Sequence, residues 1–164
     1  MMACAKNKEE IIQPESGIRI DDLEKLLPLK RAIGYVEFKG TVKRPPMAGS
    51  VGLFEVERDG EVVKLMGTCN HVIMGTSIHE LCEAEFYFAG VPAIQNLKLQ
   101  NHWIAHRWTS YTLDVTFIEL TDDAVLYFQN NNAIFLRPAK NQATIGMKVA
   151  MIHYGGGEFS FSVR

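Results

Sequence analysis

Three features of this 164-residue chain predict an all-β fold: runs of residues alternating at period two, turn signals between those runs, and almost no helical period. Residues 1–19 hold no sustained period and carry Pro14 and Gly17, so they read as an extension. A short helix is expected over residues 20–27. Asp21 or Asp22 caps it, Leu23, Leu26 and Leu27 share one face, and Pro28 stops it. Two turns are too few to stand alone, so the leucines must dock on the body of the protein.

From Ile33 the period is two: Ile33, Tyr35, Glu37 and Lys39 face one way, and Gly34, Val36 and Phe38 the other. Turn residues follow from 43 to 49, including Pro45-Pro46. Strands are expected at 51–57 and 62–66, joined at Arg58-Asp59-Gly60-Glu61, where Asp-Gly supplies the positive φ of a tight hairpin. Further strands are expected at 84–88, 97–106, 113–120, 148–152 and 159–163. The stretch 121–144, with Asn130-Asn131-Asn132, reads as a connection between two β units. Many short strands separated by turns make a barrel or a sandwich.

Composition removes several classes of function. Hydrophobic residues at 47% and charged residues at 22% are an ordinary globular balance, which argues against a disordered chain. With 17 Lys+Arg against 19 Asp+Glu the net charge is −2, so there is no basic footprint and nucleic acid is not expected as a partner. Lys43-Arg44, just before Pro45-Pro46, is only a basic pair and reads as a solvated turn. No apolar run approaches the roughly 18 residues of a membrane span, so no membrane partner is expected. Residues 1–10 lack the apolar core of a secretory signal, and Cys4, Cys69 and Cys82 form an odd set. They read as reduced thiols in a cytoplasmic protein.

The residues that carry chemistry stand in two windows. Gly67-Thr68-Cys69-Asn70-His71-Val72-Ile73 closes the third strand, and Leu113-Asp114-Val115-Thr116-Phe117-Ile118-Glu119-Leu120 opens a later one. These windows resemble the trypsin-like (chymotrypsin-fold) serine peptidases, particularly their intracellular members. In that family Thr-x-x-His-Val carries the catalytic histidine and an Asp before an alternating aliphatic strand carries the carboxylate. Gly49-Ser50-Val51-Gly52-Leu53-Phe54 is similar to the family's Gly-x-Gly-Phe strand, and His71 precedes Asp114 at a separation like the family's. The resemblance implies that His71 is the general base and Asp114 the orienting carboxylate. Either residue alone would read as a packed histidine or a turn aspartate; order, spacing and two local patterns together give the weight.

The chemistry explains the residue types. A serine hydroxyl needs a base to take its proton at neutral pH, and a neutral imidazole supplies it. A buried carboxylate on the other ring nitrogen sets the tautomer and stabilises the imidazolium that forms. The third member is missing: the chain contains no Gly-x-Ser-Gly, and Ser16, Ser50, Ser77, Ser110, Ser160 and Ser162 all lack the glycine setting that presents an oxyanion hole. Residues 145–157 resemble the first strand of the family's second barrel and its Gly-rich turn, and the nucleophile would lie several strands further on. The chain is therefore expected to be a truncated peptidase or an inactive natural form. Its expected organisation is an N-terminal extension over 1–30, a first trypsin-like barrel over 31–125, and a connection with a partial second barrel over 126–164. The tail after Thr144 must fold back on the first barrel or be completed by another chain, because it would otherwise expose Phe159 and Phe161.

Other constellations read as structural. Cys69-x-His71 with His79-x-x-Cys82 has a spacing unlike zinc knuckles, so no metal is expected. His102 and His106 lack the glutamate of HExxH, since Trp103 stands there. Gly155-Gly156-Gly157 is followed by no Gly-Lys-Ser/Thr and is a turn. Trp103, Trp108, Phe86, Tyr87 and Phe88 are expected to fill the core. No cofactor is implied. The expected partner is a polypeptide substrate or, if the barrel is a non-catalytic interaction module, another protein.

Overall fold

The computed structural model describes residues 24, 26–39, 45–73, 84–89, 91–95, 106–140, 144–145, 150–155 and 158–163, with residues 93–95, 150–155 and 158–163 described by their backbone. Helical backbone at Leu26 runs on through Pro28 into a 3-10 helix, Leu27–Ala32. The expectation that Pro28 stops the helix is thus corrected. A proline in a first turn needs no N–H, so the chain keeps turning. Ala32 is buried while Leu27 is 53% exposed, so Leu27 does not join the docking face assigned to it.

Strand β1 (Ile33–Phe38) buries Gly34, Val36 and Phe38 and turns Ile33, Tyr35 and Glu37 outward, following its period of two. Strand β2 (Met47–Arg58) starts earlier than expected, because Gly49 pairs with Val36 and Met47 with Phe38 in the β1 ladder. Strand β3 (Glu61–Cys69) returns on β2 with Arg58 opposite Glu61. The turn between them holds Asp59 at φ 54° and Gly60 at φ 83°, the two positive angles expected of this hairpin.

One helical turn, α1 (Asn70–Ile73), follows β3 directly. Then come β4 (Glu85–Phe88), β5 (Val91–Gln95), β6 (Arg107–Ser110) and β7 (Val115–Glu119). These seven strands form one antiparallel sheet in the order β5-β4-β1-β2-β3-β7-β6, so the protein is mostly antiparallel β. Of the strand expected at 97–106, only His106 is among the described residues, and it sits in the turn before β6.

The stretch 121–144 contains a helix that the sequence reading missed, α2 (Asp122–Asn130). The Thr121 hydroxyl accepts the Ala124 N–H at 3.3 Å, and Asp122 and Asp123 favour the helix N-terminus. Only Ala124 and Phe128 of this helix are buried, too few to mark a period. Phe128 is fully buried and packs edge-on against Phe88 and Phe135 at 5.2 and 6.2 Å. The core of Val36, Leu53, Met66, Phe86 and Ile118 therefore continues past residue 125, the end expected for the first barrel.

Beyond the helix the chain returns to β2: Glu55 N–H donates to Leu136 O at 2.8 Å and Leu136 N–H to Leu53 O at 2.9 Å. Glu55 also pairs with Lys64 and Arg137. Strands β8 (Ala150–Gly155) and β9 (Glu158–Val163) form a separate hairpin, with β8 beside β1 and β2, so the tail is folded back. Gly155 belongs to β8 rather than to the turn, since it pairs with Glu158. Phe86 and Phe88 are buried as expected, but Trp108 is 43% exposed on β6, where Arg58 lies over its ring.

Candidate active site

The β3–β7 register brings the two sequence windows together. Thr68 faces Thr116 and Cys69 faces Val115, so the residues just beyond the ladder, Asn70 and His71 on one side and Asp114 on the other, must meet. Strand β7 was expected to begin at Leu113, but it begins at Val115. Residues 111–114 form a turn in which Asp114 adopts φ 49°. Aspartate tolerates this left-handed conformation better than most residues. The turn is closed by Asp114 N–H donating to Tyr111 O at 3.4 Å, and the Asp114 carbonyl accepts Asn70 N–H at 3.0 Å.

Both carboxylate oxygens then serve His71. Oδ1 accepts the His71 main-chain N–H at 2.9 Å, and Oδ2 lies 2.5 Å from the ring Nδ1. The ring N–H, followed by the main-chain N–H of the same residue, holds the Asp114 carboxyl below the usual carboxylate range, against a smaller opposing push from desolvation. With Nδ1 donating to Oδ2, the neutral ring leaves Nε2 as an acceptor, the state a general base requires. The carboxylate is not buried as the chemistry led us to expect. Side-chain exposure is 48% for Asp114 and 63% for His71, because both stand at the rim of the sheet, past the ends of β3 and β7.

Beneath the pair runs a buried polar chain that the sequence reading did not single out. Thr116, fully buried, donates to Asn70 Oδ1 at 3.2 Å. A hydroxyl has one proton to give, so the 3.0 Å contact between Thr116 and Thr109 is donated by Thr109. The only sequence signal was a threonine at an inward position of an alternating strand, which needs a polar partner. Thr68 donates to Ser50 O at 2.7 Å, and Val72 of α1 packs on Gly49, where any Cβ would overlap it. Strand β2, through Gly49, thus seats the helical turn that carries His71.

The other motifs divide as follows. Cys69 is a free, exposed thiol beside the pair, raised above its usual range by partial burial and then by the Asp114 carboxylate. His79, Cys82, His102 and Trp103 lie outside the described residues, as do Ser16 and Ser77. His106 Nδ1 is 3.4 Å from Glu119, a surface ion-pair geometry. Among the described residues no helix is long and apolar enough to cross a membrane.

The fold and the site define a mostly antiparallel β protein with a coupled histidine and aspartate at one rim of its sheet. Comparisons with protein-family models, with curated proteins and with solved structures found no match for the chain.

Proposed function

We propose that the chain carries the general-base half of a trypsin-like serine endopeptidase of the cytoplasm, with His71 as base and Asp114 as its orienting carboxylate. The observation that carries this reading is the double engagement of Asp114, at 2.5 Å to the His71 ring and 2.9 Å to its main chain. It orients the imidazole and selects the Nδ1–H tautomer, leaving Nε2 to take a proton from a nucleophile. The sheet order adds support. Among the described residues its two edge strands, β5 and β6, follow one another in strand order, which is compatible with the sheet closing on itself.

The substrate class on this reading is polypeptide. No Gly-x-Ser-Gly stands in the 164 residues, so this chain alone is not expected to hydrolyse peptide bonds. The exposure of the pair favours a second reading, a non-catalytic β module that docks a protein partner. Nitrogen-15 NMR of the chain tests the base directly. A His71 ring protonated at Nδ1 with bare Nε2 supports it, and a ring protonated at Nε2 sinks it. Reading the coding sequence past Arg164 separates the alternatives: an in-frame Gly-x-Ser-Gly favours the peptidase and a stop codon the module. Peptide turnover by this chain that vanishes in His71→Ala would overturn the predicted inactivity.

A further inference from the structure

The general-base pair uses two of three ligating groups that converge at this rim. The Cys69 sulfur, a ring nitrogen of His71 and a carboxylate oxygen of Asp114 all lie within 4.8 Å of one another. The β3–β7 ladder enforces this convergence: Cys69 is the last residue of β3 and pairs with Val115, next to Asp114, while His71 lies in the helical turn that follows. A tetrahedral zinc ion with bonds of about 2.0–2.3 Å holds its ligand atoms about 3.3–3.8 Å apart. Closing from 4.8 Å takes about 1 Å, within reach of side-chain rotation at exposed positions. Oδ1 of Asp114 is held by the His71 main-chain N–H, so the ion takes Oδ2 by displacing its 2.5 Å hydrogen bond to Nδ1, and these two atoms open by about 1 Å to admit it. One thiolate, one imidazole and one carboxylate suit zinc rather than magnesium or calcium, and the exposed rim supplies water as a fourth ligand.

We propose that Cys69, His71 and Asp114 form a site for a zinc-class divalent cation, and that this cation switches off the general-base pair. The second half rests on the function proposed above; the site itself does not. Without the ion, Nδ1 carries the ring proton and Nε2 is free. An ion between Nδ1 and Oδ2 takes the Nδ1 lone pair, so the neutral ring must carry its proton on Nε2, where it can no longer accept one. The Cys69 thiol loses its proton to become a ligand. The ring proton leaves Nδ1 for solvent and another is taken up at Nε2, so one proton is released for each ion bound. Thiolate and carboxylate together balance the charge of the ion.

Titration of the full chain with Co2+ alone, and with Zn2+ alone, tests this. One equivalent of Co2+ is expected to produce the near-ultraviolet absorption of a cobalt–thiolate bond. Cys69→Ser should remove that absorption although Cys4 and Cys82 remain. Asp114→Asn should weaken binding by about tenfold or more, since even outer-shell partners of metal ligands are worth 10–100-fold. No binding, or absorption persisting in Cys69→Ser, overturns the site and leaves the peptidase reading standing. Zn2+ is expected to move the His71 ring proton from Nδ1 to Nε2 in the unmutated chain, a readout that does not depend on whether a variant folds. Binding with the proton still on Nδ1 overturns the switch. A ring protonated at Nε2 before any metal is added overturns the general-base reading instead.

Discussion

Asp114 shows how much one residue can organise. Its carbonyl holds Asn70, its Oδ1 the His71 main chain and its Oδ2 the His71 ring, all from a backbone at φ 49°. Contacts that favour the ionised form hold its carboxyl low, so the sign of the pH effect follows. A depressed folded value means that the unfolded chain binds the proton more readily as the solution is acidified. The contribution of Asp114 to stability is complete above the ordinary aspartate value of about 3.9 and is lost as pH falls through the lower folded value. Carbon-13 NMR of the carboxyl should show its midpoint below that ordinary value, and Asp114→Asn should flatten the acid limb of a stability-against-pH curve. A midpoint at or above the ordinary value would contradict this.

At the scale of elements, the site is the meeting of β3, α1 and the turn before β7, and two supports hold it. The first is the buried chain from Thr109 through Thr116 to Asn70. Thr116→Val keeps the shape but leaves Asn70 Oδ1 without its donor. Because Asn70 is only 8% exposed, the loss should cost about 1–3 kcal/mol in urea unfolding. The second is the contact of Val72 with Gly49. Gly49→Ala drives a Cβ into Val72, so either β2 or α1 must shift, at about 1–3 kcal/mol. The His71 ring resonances should move with it. Unchanged resonances would show that α1 is seated by something other than β2.

For the whole molecule, the decisive element is α2. Its Phe128 is fully buried against Phe88 of β4 and Phe135 of the returning segment, so the helix is a wall of the core and not a spacer. Phe128→Ala should cost about 3–5 kcal/mol and lower the midpoint of one cooperative transition followed by circular dichroism. Loss of a separate, early transition with the main one unmoved would show α2 to be peripheral. The strand pattern of β1, the Asp59-Gly60 hairpin and the buried faces of Phe86 and Phe88 were legible from residue order. The α2 helix was not, because two inward residues cannot mark a period, and Trp108 was misplaced because β6 lies at an edge of the sheet.

Local pattern was enough for the β class, since alternation and turn chemistry act between near neighbours and leave their mark in residue order. His71 and Asp114 were singled out by the resemblance of two short windows to a peptidase family. Neither could say that Asp114 would sit half-exposed in a left-handed turn, that Asn70 and Thr116 would underpin it, or that Cys69 would stand beside it. Those facts depend on the β3–β7 register, which joins residues more than forty positions apart. A register is chosen by the packing of the whole core, and no window of the chain contains it.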